Sequence, residues 1–162
     1  MACEESAVTF RESREWEVIK AIVTHPKVYP AVSDDFSPPA EKWEPIQANV
    51  AHYLLVWDQG ELLGLWAFYE RSPITWEVHT CLLPLSYGKR AQEAASEMAT
   101  WIWVNTRCLR LVTEVPDYNR LALRFARAAG MVEYGFNEKS YMKNGHLCGI
   151  HLLGMSKPEE MN

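Results

Sequence analysis

The chain has no apolar run long enough to cross a membrane, and its start lacks the basic, apolar and small-residue succession of a cleavable signal. Close-spaced cysteine and histidine pairs are also missing. Cys3, Cys81, Cys108 and Cys148 fit no zinc pattern, so reduced thiols and no metal are expected rather than a disulfide framework. Nor is there an excess of positive charge: the formal net charge is -5, which argues against tight nonspecific nucleic-acid binding, since such binding rests on neutralising phosphates. Internal repeats and linker-like stretches are absent. These absences lead us to expect one domain, 1–162, in a bacterial or infected cytoplasm, with neither membrane nor nucleic acid as a partner.

What is present suits a single full-sized core, with 162 residues of which 48% are hydrophobic and 23% charged. Val8–Phe10 reads as a short first strand. From Glu12 to Thr24, Trp16, Ile19, Ile22 and Val23 share one helical face, and Pro26 closes that helix. Residues 25–45 are broken by Pro26, Pro30, Pro38, Pro39 and Pro45, which exclude a long helix. An irregular segment of this length reads equally as functional or as a surface loop stapled by Tyr29, Phe36 and Trp43. Ala51–Trp57 and Glu61–Glu70 flank Asp58-Gln59-Gly60 as a hairpin, and the second strand, apolar on both faces, is expected at the centre of a sheet.

Thr75–Leu83 differs. Ile74, Trp76, Val78 and Leu82 fall on one face, and Thr75, Glu77, His79 and Cys81 on the other. A polar face there is either a wet sheet edge or the lining of a site. Downstream, Ala91, Ala94, Ala95, Met98 and Ile102 repeat at helical steps, with small side chains that allow close approach to a sheet. Leu109–Val115 reads as a buried strand ended by Pro116. Asp117 or Asn119 caps a second helix with Leu121, Ala122, Phe125, Ala126 and Ala129 inward and Gly130 beyond its end. Val132–Lys143 and His146–Leu153 flank Asn144-Gly145, a hairpin signal, and the tail from Ser156 is expected to fray.

The run Pro84-Leu85-Ser86-Tyr87-Gly88-Lys89-Arg90-Ala91-Gln92 resembles the Pro-x-x-Arg-Gly-Lys-Gly-x-Gly turn of the GNAT acetyltransferase superfamily. Gly88 and Lys89 match; Tyr87, Arg90 and Gln92 depart. Asn119, Ala122, Gly130 and Met131 fit a second block of that family. The likeness covers about half the chain and is nearest a bacteriophage-associated branch. It implies an α/β (α+β) fold: a mixed, mostly antiparallel central sheet of six or seven strands, about four helices and a C-terminal β-hairpin. Residues 1–72 would form the N-terminal half, 73–131 the cofactor-binding core, 132–155 the hairpin and 156–162 the tail.

The same resemblance implies acetyl-CoA as acyl donor, its pyrophosphate over Tyr87, Gly88, Lys89, Arg90 and Ala91, with Lys89 and Arg90 adding positive charge and Asn119 nearby. The acyl arm would pair with backbone near Cys81, Leu82 and Leu83. Glu77 and His79 are the candidates to take a proton from a primary amine, whether small molecule or protein. The family's tyrosine acid falls at Ala126, leaving Tyr118 and Tyr134 as substitutes only if the fold brings either near. Two functions follow: acetyl transfer by direct attack in a ternary complex, or a non-catalytic GNAT-fold binding or assembly protein with a phage or host partner, for which a virion is an alternative location to the cytoplasm.

Overall fold

The computed structural model describes residues 8–162, so Cys3 lies outside the described residues. Period-two patterning produces a seven-stranded sheet of order β1-β2-β3-β4-β5-β7-β6. Strands β1 (Val8–Glu12), β2 (Ala51–Asp58), β3 (Glu61–Glu70) and β4 (Thr75–Leu82) run antiparallel in succession. Helix α3 (Lys89–Asn105) then crosses over to β5 (Arg110–Pro116), which lies parallel to β4. Such a pairing needs a long connection, and the alanine-rich helix supplies it. Helix α4 (Arg120–Ala128) leads into the hairpin of β6 (Val132–Lys143) and β7 (His146–Ser156). Two further helices, α1 (Trp16–Val23) and α2 (Tyr29–Val32), complete the mixed α/β architecture.

The sheet is covered unequally. Against one face, Ala94, Ala95, Met98 and Ile102 of α3 pack on Leu54, Val56, Trp66, Phe68, Trp76 and Val78. Against the other, Ile19, Ile22 and Val23 of α1 pack on Tyr53, Leu55, Leu65, Ala67 and Cys81. Consecutive residues of β2 and β3 therefore enter opposite cores, as a strand apolar on both faces requires.

Three local expectations are revised. Helix α1 begins at Trp16, because Glu12 still pairs with Leu54 and the Ser13 N–H donates to Tyr53 O at 2.9 Å. The proline-rich segment holds one turn of helix, α2, and a 3-10 turn at Ala40–Lys42. The tail is held rather than frayed: the Lys157 N–H donates to Leu109 O at 2.8 Å, and Met161 packs on the core.

One irregularity sets the site. The β4–β5 ladder has the rungs Thr75↔Arg110, Trp76↔Leu111 and Glu77↔Val112, then ends. Both strands continue, β4 paired with β3 as far as Leu82 and β5 paired with β7 as far as Pro116. The sheet therefore forks. At its root the Thr113 hydroxyl donates to Val78 O at 3.0 Å, standing in for a lost backbone partner. On the far side of β4, Gly64 (φ +137°) lets β3 press against the backbone of Cys81 and Leu82. A Cβ added at Gly64 would lie 2.8 Å from Leu82 Cα, so only glycine permits this approach.

Ala94 is 0% exposed beneath α3 and lies off the cavity described below, so Ala94→Leu tests the helix-on-sheet contact alone. Overpacking there should cost about 1–3 kcal/mol in urea unfolding. An unchanged unfolding midpoint would mean that α3 is not seated as described.

Candidate active site

The fork opens into a cavity of about 250 Å³ that passes between the two sides of the sheet. Val28, Ala31 and Val32 line it on the α1 side, His79 and Thr113 at the fork, and Gly88, Ala91 and Ala122 on the α3–α4 side.

On the α3–α4 side the site is built from backbone. Gly88 is the N-cap of α3, with φ 96° and ψ −136°, and its carbonyl accepts the Gln92 N–H at 3.2 Å. The N–H groups of Lys89, Arg90 and Ala91 precede the first helical bond and have no partner within the helix. Nothing lies within 4 Å of where a Cβ on Gly88 would be, so the approach is open. With the positive end of a 17-residue helix behind them, these donors suit a phosphate.

Along the fork, β4 presents alternate residues. Ile74 O accepts from the Leu109 and Arg110 N–H groups, and Val78 O from Thr113, so the even-numbered backbone faces β5. The odd-numbered backbone faces β3, and the Leu83 N–H is bound to Leu63 O at 2.7 Å. Beyond Val78, the backbone groups of Thr80 and Leu82 therefore face the opening.

On the α1 side His79 Nε2 lies 3.2 Å from Glu77 Oε2. The Arg71 guanidinium donates to Glu77 and also to Glu114 Oε1, the latter at 2.8 Å. The Tyr69 ring meets His79 edge-on at 5.4 Å, and burial pushes the Tyr69 hydroxyl pKa upward. Glu77 is held down to about 2, first by its hydrogen bond with His79 and then by Arg71, against the opposing effect of burial. A carboxylate so stabilised accepts protons weakly at neutral pH.

No family model matches the sequence, and no curated protein sequence matches it. Solved structures do. The spermidine N-acetyltransferase of Vibrio cholerae, crystallised with CoA and spermine, superposes with a TM-score of 0.78 over 96% of this chain and 99% of its own, at 17% identity. The ribosomal-protein-S5-alanine acetyltransferase of Vibrio fischeri superposes with a TM-score of 0.68 over 98% of each chain, at 16% identity. This chain has the GNAT acetyltransferase fold.

Within the GNAT fold, the residues singled out in the sequence are used unevenly. Gly88, Ala91, Asn119, Tyr87 and His79 all line the cavity. The Asn119 side chain caps α4 by accepting the Ala122 N–H at 3.1 Å, which settles the choice between Asp117 and Asn119. Lys89 is exposed, 3.7 Å from Glu93. Arg90 is not a free cation beside the turn, since its guanidinium is 2.9 Å from both Asp58 and Glu61 on the β2–β3 hairpin. The Cys81 side chain is turned into the α1 core, and burial pushes its thiol up to about 12. Glu77 does not line the cavity but stands behind His79. Neither tyrosine alternative to Ala126 lines the cavity: Tyr118 packs with Tyr141 at 5.9 Å, and Tyr134 lies under Arg110. Sequence reasoning missed Arg71, Glu114, Thr80 and Thr113, whose partners lie on other strands and leave no local pattern.

Glu77 gives a pH signature. Its folded-state pKa is depressed from 4.5 to about 2, so its stabilisation is complete above the unfolded value and is lost as pH falls through the folded one. Glu77→Gln should be less stable than wild type at neutral pH by roughly 1–3 kcal/mol. In acid unfolding series the gap should shrink between about pH 4.5 and 2. A gap independent of pH would place the stabilisation elsewhere.

Proposed function

We propose that this protein is an acetyl-CoA-dependent N-acetyltransferase that moves an acetyl group to a primary amine by direct attack in a ternary complex. The observation that carries the reading is the cavity through the sheet fork. It joins an anion-suited helix start at one end to a histidine–carboxylate pair at the other. The residues fit the donor. The N–H groups of Lys89, Arg90 and Ala91 would hold its pyrophosphate, and the open backbone of Thr80 and Leu82 would pair with its pantetheine arm. Bound acetyl-CoA would supply the activated acyl carbon.

The chain's own residues supply the proton chemistry. An alkyl amine is protonated at neutral pH and must lose that proton before it can attack. His79, which lines the cavity, would take the proton directly or through water, while Glu77 orients the ring. The solved neighbours named above are acetyltransferases of spermidine in one case and of a ribosomal-protein-S5 alanine in the other, and both support an amine acceptor here.

A second reading is a GNAT-fold binding or assembly protein with a phage or host partner. Ala126 at the family's tyrosine position and the ion-paired Arg90 favour it. Acetyl-CoA binding separates the two. Calorimetry on the purified protein should detect binding, and acetyl-CoA at one hundred times its dissociation constant should add roughly 2.7 kcal/mol to stability. Gly88→Val should remove binding while the domain stays folded, because a β-branched residue disfavours φ 96°. With a working amine, His79→Ala should lower kcat by about 10²–10⁴-fold, with little change in acetyl-CoA affinity and partial rescue at high pH. Failure of the wild type to bind acetyl-CoA would leave the binding-protein reading standing.

A further inference from the structure

Arg71 lies in the turn between β3 and β4, where its N–H donates to Thr75 O at 3.0 Å. From that anchored position its guanidinium reaches Glu77 on β4 and Glu114 on β5. Those two residues straddle the point where the backbone ladder stops, its last rung being Glu77↔Val112. Side chains thus tie the two strands together where main-chain bonds no longer do. Both bonds come from one guanidinium nitrogen, Nη2, whose two hydrogens bridge carboxylates that would otherwise repel across the opening.

We infer that Arg71 is a positioning residue of this site: it fixes Glu77 against His79 Nε2 and compensates its charge, leaving Nδ1 as the ring nitrogen with the free lone pair. The inference rests on the proposed role of His79 as proton acceptor. A histidine's tautomer is set by the hydrogen bond its other nitrogen makes, and here Nε2 faces a carboxylate that can only accept. The remaining groups around the ring do not replace Arg71. Tyr69 on β3 presents its ring edge and shares a hydrogen bond with Tyr53 on β2. Cys81 on β4 is a buried thiol pushed up to about 12. Glu114 on β5 is engaged by Arg71 itself, and Lys27, after α1, lines the cavity.

The test is ¹⁵N NMR of the imidazoles, for which the five histidines form a small set, with the His79 signals assigned from a His79→Gln sample. Wild type should show the Nε2–H tautomer at His79. Arg71→Gln should mix the tautomers, since Glu77 is then no longer held against Nε2. With a working amine kcat should fall while KM for acetyl-CoA stays within about twofold, with Arg71→Lys intermediate. A folded Arg71→Gln with the wild-type tautomer would overturn the inference. If Arg71→Gln does not fold, Arg71→Lys decides on the same readout, because its ammonium ends one bond short of the Nη2 position that bridges the two carboxylates. Because the NMR needs no turnover, an inactive wild type would defeat the proposed function separately from the Arg71–Glu77–His79 relation.

Discussion

The structure depends on a missing set of hydrogen bonds. After Glu77↔Val112, β4 and β5 stop pairing although each keeps its outer neighbour, β3 for one and β7 for the other. Unpaired backbone inside a sheet is costly, so a fork persists only where the freed groups find other partners. Thr113 satisfies Val78, Arg71 bridges Glu77 and Glu114, and Gly64 allows β3 to hold the end of β4 tightly. The Thr80 and Leu82 backbone then forms a sheet edge lining a cavity rather than solvent. The proposed acetyl transfer uses that edge, and the helix start and His79 matter because the fork connects them.

The proline-rich segment contributes through specific ties. Asp35 accepts the N–H groups of Asn144 and Gly145, each at 2.8 Å, and these bonds hold its carboxyl below its usual range. Lys143 Nζ donates to Pro30 O at 2.7 Å and Ser33 O at 2.8 Å. The segment is thereby fastened to the tip of the β6–β7 hairpin, and Val28, Ala31 and Val32 form one wall of the cavity. Proline density limits the conformations open to this stretch, and the polar ties select one.

Charge placement distinguishes the two ends of the cavity. At the helix start the donors are uncharged N–H groups, with Lys89 exposed beside Glu93 and Arg90 drawn away to Asp58 and Glu61. The opposite end concentrates Glu77, Glu114, Arg71 and His79 in one network. Glu77 and His79, equivalent as candidates on one strand face, differ in their surroundings: a carboxylate held to about 2 is ionised but weakly basic, whereas the imidazole reaches the cavity.

Period alone determined much of this protein. Alternation in Glu61–Glu70 announces a strand buried on both faces, the alanine steps after Ala91 announce a helix close to a sheet, and Asn144-Gly145 announces the last hairpin. The turn at Gly88 and the cap at Asn119 were equally legible, because capping and turn chemistry act within a few residues. Tertiary structure decided everything that depends on which strands meet. It ended the β4–β5 ladder at Glu77, sent Cys81 into the α1 core and Arg90 to the β2–β3 hairpin, and brought Arg71 to Glu114, 43 residues away. Local periodicity reports the face a residue occupies. Ion pairs and strand forks depend on distances between segments that no local pattern encodes.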